Sequence, residues 1–236
     1  MRPDLDAIVL AAGEGRRLRP VTERWAKPLL PIDGRAVIAV LLRELAAAGF
    51  GRATVVTGQL AEQVEGFLGD GSGFGLEISF VRQPEPHGSA DAVRAALRGG
   101  ARLPALVSAA DTVFTPGDLT RFTESFAGSG AIAALAVRRD PPPAKEQRAP
   151  VRIRAGRVEK VVDDDADNPL GAAPLWILSP GLEWFLNDLP GPPFELAAAV
   201  QRAIDAGEEV LGAEIGRTRD LTRPLDLVVQ NFSYLT

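Results

Sequence analysis

The sequence predicts an α/β fold, a mostly parallel mixed sheet covered by helices on both faces. Three observations carry that expectation. Short apolar or β-branched runs alternate with amphipathic stretches through the first half of the chain. The amphipathic stretches close on glycine, as helix ends do. The 236 residues are 46% hydrophobic and 24% charged, enough apolar material for one large buried core.

The elements follow in order. Residues 7–10 form a short apolar run, and 36–48 repeat with helical period up to Gly49. Residues 53–57 are β-branched and read as a strand, and 60–68 read as a helix ended by Gly69. Residues 76–81 alternate with period two, 90–97 are helical, and 103–109 are again an apolar strand. Beyond Asp111 the rhythm loosens. Residues 118–126 read as a helix, 131–137 as a strand, and 141–150 as a proline-rich, charged connection. Residues 151–154 and 157–162, separated by Ala155-Gly156, read as a hairpin. An acidic loop at 163–167 leads to the apolar run 172–178. A helix at 194–206, closed by Gly207, and the segment 221–232 complete the pattern.

Composition excludes several classes. A net charge of -5 argues against a nucleic-acid binder, which needs a broad basic face. The absence of cysteine removes disulfides, thiolate zinc sites and a cysteine nucleophile, and agrees with a reducing cytosol. Residues 1–6 are polar and acidic, and the apolar run after them is too short for a membrane span and lacks a signal-peptide layout. The expectation is a soluble, cytoplasmic protein with neither a membrane nor a nucleic-acid partner.

The segment LAAGEGRRLRPVTERWAKPLLP, starting at Leu10, carries the chemistry. An apolar strand ending in Leu10, Ala11 and Ala12 runs into Gly13, Glu14 and Gly15, where the backbone can turn sharply and present its N–H groups to phosphate oxygens. Arg16, Arg17, Arg19, Arg24 and Lys27 follow within twelve residues, a dense positive cluster in an acidic chain. Two familiar loops fit badly. A dinucleotide fingerprint needs a third glycine where Leu18 stands, followed by a helix that Pro20 would interrupt. A P-loop needs Gly-Lys-Ser/Thr, and Lys27 lies in Ala-Lys-Pro instead.

The same segment resembles the signature of the sugar-1-phosphate nucleotidyltransferases, LAAGxGxRLxPxTxxxxKPLxP. It matches at Leu10, Ala11, Ala12, Gly13, Gly15, Arg17, Leu18, Pro20, Thr22, Lys27, Pro28, Leu29 and Pro31. The resemblance implies a Rossmann-like, GT-A-like nucleotidyltransferase fold over residues 1–236. A nucleotide half would occupy roughly 1–130 and an acceptor half 131–236, with no room for the C-terminal β-helix of some relatives. It implies a nucleoside triphosphate and a phosphorylated small-molecule acceptor as partners, and Mg2+ as cofactor. The backbone from Gly13 through Glu14, Gly15 and Arg16 to Arg17 would cradle the triphosphate. Arg17 would stabilise the pyrophosphate leaving group, and Lys27 would contact the phosphates around the reacting phosphorus.

Further segments resemble the rest of the family pattern. Gln83 to Ala92 is similar to Q-x-x-x-x-G-T-A-x-A, with Ser89 for threonine. The Gln83 amide both donates and accepts, as reading a base edge requires. Gly88 would let the backbone approach base or ribose, and Ser89 would cap the next helix. Asp111 ends an apolar strand and resembles the family's metal aspartate; Asp220, in RDLTRPLDL, resembles the second, with Asp226 capping the last helix. His87, a lone histidine in a turn, is given no catalytic role.

The acceptor side departs from the pattern. Asp163-Asp164-Asp165 stands where the family carries E-K-P, so the sugar-phosphate lysine is read as lost. The alternative register, with Glu159-Lys160 as a shifted pair, fits the spacing to Asn168 less well. Asn168 and Glu195 resemble acceptor contacts. The leading reading is transfer of a nucleotidyl group from an NTP to a sugar 1-phosphate. The alternatives are a non-sugar phosphomonoester acceptor (phosphocholine or a cyclitol phosphate) and a non-catalytic nucleotide-binding subunit.

Overall fold

The computed structural model describes residues 5–139, 149–165 and 167–232. Its strands are β1 (Asp6–Ala11), β2 (Pro31–Ile32), β3 (Arg35–Ala36), β4 (Arg52–Thr57), β5 (Glu77–Arg82), β6 (Ala105–Ala109), β7 (Thr112–Val113), β8 (Ala133–Arg139), β9 (Arg152–Arg154), β10 (Arg157–Lys160), β11 (Leu170–Leu178), β12 (Val210–Glu214) and β13 (Arg219–Asp220). The α-helices are α1 (Val37–Ala47), α2 (Ala61–Leu68), α3 (Ser89–Arg98), α4 (Asp118–Phe126), α5 (Leu196–Asp205) and α6 (Pro224–Val229). The connection expected at 141–150 lies largely outside the described residues.

Among the described residues, nine strands form one sheet in the order β5-β4-β1-β6-β11-β8-β12-β10-β9. Strands β5, β4, β1 and β6 are parallel. Strand β11 runs antiparallel to both β6 and β8, and β12 is parallel to β8. β8 and β12 therefore point the same way as β1 and β6, and the carboxyl ends of all of them open on one edge. The chain leaves β1 to build β4 and β5 on one side and returns to build β6 on the other. That reversal makes a crevice at the strand ends, where open α/β sheets take ligands.

Both faces of the sheet are buried, which is why the strands read as continuous apolar runs. Ala7, Val9, Leu106, Ala134, Ala136, Leu175 and Ile177 face one core with Ile38, Leu42 and Leu45 of α1, Val64 of α2 and Leu119 and Phe122 of α4. Ile8, Val56, Val107, Leu135 and Val137 face the other, with Val93 of α3 and Leu196 and Val200 of α5. The alternation along each strand sorts neighbouring side chains into opposite cores.

The sheet carries the strand expected at 131–137 two residues further. β8 continues past the apolar run into Arg138 and Arg139 because β11 pairs with both, Gly171 opposite Arg138 and Leu170 opposite Arg139. The closing segment holds only the short helix α6, where the Asp226 carboxylate accepts the backbone N–H groups of Thr222 and Arg223, both at 2.7 Å, in the capping role expected of it. No helix among the described residues is long and apolar enough to cross a membrane.

Candidate active site

After β1 the chain enters a run of 3-10 turns, Arg16–Leu18, Val21–Glu23 and Lys27–Leu29, rather than a helix. Pro20 and Pro28 withhold the N–H groups that an α-helix would need here. Gly15 adopts φ +63, and a Cβ there would sit 2.8 Å from the Thr22 methyl. The Thr22 hydroxyl donates to the Gly15 carbonyl at 2.9 Å and locks the turn. A Cβ on Gly13 would meet nothing within 4 Å, so this turn leaves open space in front of the backbone. Gly58, at the end of β4, is required for a different reason: a Cβ would lie 2.6 Å from the Ala12 carbonyl.

The carboxyl ends of β1 and β6 then share a cavity of about 340 Å3. Leu10, Ala11, Ala12, Gly13, Lys27, Gln83, Gly88, Ser89, Asp111 and Glu195 all line it, although they are scattered over 186 positions of the chain. Glu14, Gly15, Arg16, Arg17, Asn168 and Asp220 do not. A larger depression of about 1000 Å3, bordered by Asp33, Arg35, Glu44, Arg217 and Arg219, contains none of the sequence-predicted residues. Chemistry, rather than size, selects the smaller one.

At the floor of the cleft the Lys27 ammonium donates to the Asp111 carboxylate, joining residues 84 positions apart. Both side chains are largely withdrawn from water, a setting in which opposite charges attract strongly and neither is left uncompensated. Asp220 arrives by a separate route. β13 pairs with β7, and Asp220 stands opposite Thr112, next in sequence to Asp111. The Asp220 carboxylate accepts from Arg138 at 3.3 Å. Arg17, in the first 3-10 turn, is exposed and pairs with no described residue. The positive cluster is less free than its composition suggests. Arg16 and Arg19 both reach Glu14, at 2.6 and 3.5 Å, and the Arg16 guanidinium holds the Glu14 carboxyl below the usual carboxylate range.

Gln83 is buried at the end of β5, and its backbone N–H donates to the Thr57 carbonyl at 2.7 Å. Its amide nitrogen donates to Asp91 at 2.7 Å and to the Gly88 carbonyl at 3.4 Å. Asp91 is held in turn by Arg94 at 3.1 Å. Both amide hydrogens are committed, so the Gln83 oxygen is left as the acceptor of this group.

One expectation changes, and Gly88 gains a second reason to be glycine. Gly88 is a glycine because the Phe194 backbone packs on it: a Cβ would lie 2.4 Å from the Phe194 carbonyl. Ser89 does not cap α3, whose first residue it is. Its hydroxyl accepts the Leu196 N–H at 2.8 Å and donates to Glu195 at 2.5 Å, so it caps α5, 107 residues away. Ser89 and Gly88 thereby bring α5, and Glu195 with it, to the cleft.

The acceptor-side segment also differs from expectation. Asp163, within the acidic loop, is buried and held by Arg152 at 2.6 Å and by the Asn168 amide at 2.9 Å. The Asn168 hydrogen bond, burial in opposition, and then Arg152 leave its carboxyl below the ordinary range. Asn168 also donates to the Val151 carbonyl and accepts the Leu170 N–H, both at 2.9 Å. Its polar atoms serve this clasp, and Asn168 does not line the cavity. Lys160 pairs with exposed Asp164, and Glu159 pairs with Arg154, so the shifted Glu-Lys alternative holds surface bridges on an outer strand. His87 accompanies Glu85 at 2.8 Å and meets Phe194 edge-on.

Residues that the sequence reading passed over complete the cleft's supports: Thr22, Gly58, Asp91, Arg94 and Arg138. Arg138 had a legible signal, a cation terminating an otherwise apolar strand. The others become meaningful only through their partners.

A glycine turn, a withdrawn lysine–aspartate pair and an oriented amide meet at the switch point of a parallel sheet, which makes this an α/β protein with a ligand-type cleft at the strand ends. Residues 6–146 match the nucleotidyl transferase family, and the chain belongs to it. Over 89 residues it is 40% identical to a glucose-1-phosphate thymidylyltransferase of Streptomyces griseus; the match spans 38% of this chain and 25% of that relative. Over 84 residues it is 42% identical to an N-acetylmuramate alpha-1-phosphate uridylyltransferase of Neisseria meningitidis serogroup B, spanning 36% of each. The fold is shared with a UDP-glucose pyrophosphorylase complexed with UDP-glucose, at TM-score 0.84 and 19% identity over 98% of both chains.

Proposed function

We propose that this protein is a nucleotidyltransferase that joins a sugar 1-phosphate to the nucleotidyl group of an NTP, giving an NDP-sugar and pyrophosphate. The observation that carries this reading is the cleft itself. Gly13, Gln83, Lys27, Asp111 and Glu195 come from five separate segments and line one cavity at the sheet's switch point. The thymidylyltransferase and uridylyltransferase relatives support the same reaction class.

In this reading the turn after β1 takes the triphosphate along its open backbone. Lys27 and Arg17 balance the charge that spreads onto the leaving pyrophosphate. An oxygen of the acceptor phosphate attacks the α-phosphorus in line. The bond from that phosphorus to the bridging oxygen breaks, and pyrophosphate leaves with the electron pair. No protein base is required, because a phosphomonoester is already a nucleophilic dianion near neutral pH. Gln83 offers its oxygen to a donor on the base, and Glu195 faces the acceptor's hydroxyls.

The donor set suits Mg2+: Asp111 and Asp220 carry hard oxygen ligands, Asp111 directly before β7 and Asp220 opposite Thr112, and each has a cation beside it. The ion would supply charge neutralisation between the α-phosphate and the incoming phosphate. The test is a pyrophosphate-release screen of the four NTPs and dTTP against phosphorylated acceptors with Mg2+. At least one sugar 1-phosphate should turn over. Asp111→Asn should lower that rate by about a hundredfold or more with an unchanged melting temperature. Turnover confined to non-sugar phosphomonoesters would overturn the acceptor class, and binding without turnover would overturn the activity.

A further inference from the structure

Arg138 is the next-to-last residue of β8, whose carboxyl end opens on the same edge as β1 and β6. The preceding five side chains of that strand are apolar and buried. The Arg138 side chain is only 18% exposed, whereas its neighbour Arg139 is 58% exposed and forms an ordinary surface bridge to Glu214. A guanidinium withdrawn this far is stable only with partners, and two of them are the Thr218 hydroxyl and Asp220.

The arrangement mirrors that of the cleft floor. Lys27, 15% exposed, lies on Asp111; Arg138 lies on Asp220; and Asp220 stands one residue from Asp111 across the β7–β13 ribbon. Among the described residues Asp220 accepts one N–H of Arg138, at the long distance of 3.3 Å, a contact that a better-matched anion can replace. A phosphate is such an anion, since the planar guanidinium can meet two of its oxygens at once. The acceptor also needs a cation of its own, because Lys27 is engaged by the triphosphate. Lys160, the other cation considered for that task, is occupied at the surface by Asp164.

We infer that Arg138 binds the acceptor's phosphate, exchanging Asp220 for it when the acceptor arrives. This rests on the function proposed above. The variants are Arg138→Gln, which can still hydrogen-bond Thr218, and Arg138→Lys, which keeps the charge without the planar fork. In steady-state pyrophosphate release, Arg138→Gln should raise the acceptor KM about tenfold or more and leave the NTP KM within about twofold, with Arg138→Lys intermediate. In the absence of substrates, electron paramagnetic resonance titration should show Mn2+ binding to Arg138→Gln several-fold more tightly than to wild type, since a competing cation has been removed from Asp220.

If Arg138 merely staples β13 to β8, the outcome reverses: Mn2+ binding weakens, the melting temperature drops, and both KM values move together. That result overturns the inference, as does an unchanged acceptor KM in a wild-type-active background. If Arg138→Gln does not fold, Arg138→Lys decides by the same KM split. A wild-type protein without turnover on any phosphorylated acceptor overturns the function and this inference together, whereas active wild type with an indifferent Arg138 overturns this inference alone.

Discussion

Gln83, Asp91 and Arg94 show how a side chain with two faces is made to present one of them. An amide in isolation offers donor and acceptor equally. Here Asp91 accepts from the amide nitrogen, and Arg94 holds Asp91 in place. The orientation of Gln83 is therefore set one layer behind the cleft. Asp91→Asn replaces an acceptor-only group with one that can also donate, which removes the preference for one amide orientation. We expect the ratio of kcat/KM between the best and second-best NTP to fall by about tenfold, with a smaller change in kcat for the best one. Competition among the NTPs measures it, and an unaltered ratio would count against an orienting role. Gln83 was legible in the sequence because its neighbours form a segment. Asp91 was not, because its role depends on a hydrogen bond across the start of α3.

The hairpin β9–β10 and strand β11 are joined by the clasp of Arg152, Asp163 and Asn168. An aspartate whose folded carboxyl lies below its unfolded value stabilises the protein above the ordinary carboxylate range. That contribution disappears as pH falls through the lowered folded value. Asp163→Asn should therefore destabilise the protein by about 2 kcal/mol at neutral pH, Arg152 being half-exposed and its share screened. The gap from wild type should close as the pH is lowered below about 4. Denaturant melts at pH 7 and pH 3 measure this; a gap that persists at acid pH would assign the clasp to packing instead. The acidic run was visible as charge alone, and its sequence could not reveal that one of three consecutive aspartates is buried while the next is in solvent. Ser89 teaches the same at a longer range. Its position before a helix looks like a cap for α3, yet its hydroxyl is taken by α5.

At the level of the whole molecule, β11 is inserted between β6 and β8, so the late sequence completes a sheet begun by the early sequence. Cutting the chain after residue 130 would leave β6 as an unpaired edge with apolar side chains on both faces. The fragment 1–130 should aggregate, and the full protein should unfold in one transition detected alike by circular dichroism and tryptophan fluorescence. A soluble, folded 1–130 fragment would show instead that the two halves are separable.

The internal strand β12 was not readable beforehand, whereas the strands β1, β4, β5, β6, β8 and β11, the alternation that makes a parallel sheet, and the residues at the ends of β1, β5 and β6 were. They depend on local periodicity, on glycine and proline, and on a long contiguous signature around Leu10 and Lys27. The nine-stranded order, the partner that each charge finds, and the separation of Asn168 from the cleft were not. Those follow from contacts between residues tens to hundreds of positions apart, where packing and desolvation, not neighbouring sequence, decide which carboxylate meets which cation. Arg138 and Asp220 illustrate the boundary: each is an ordinary charge in its own segment, and only the sheet brings them together.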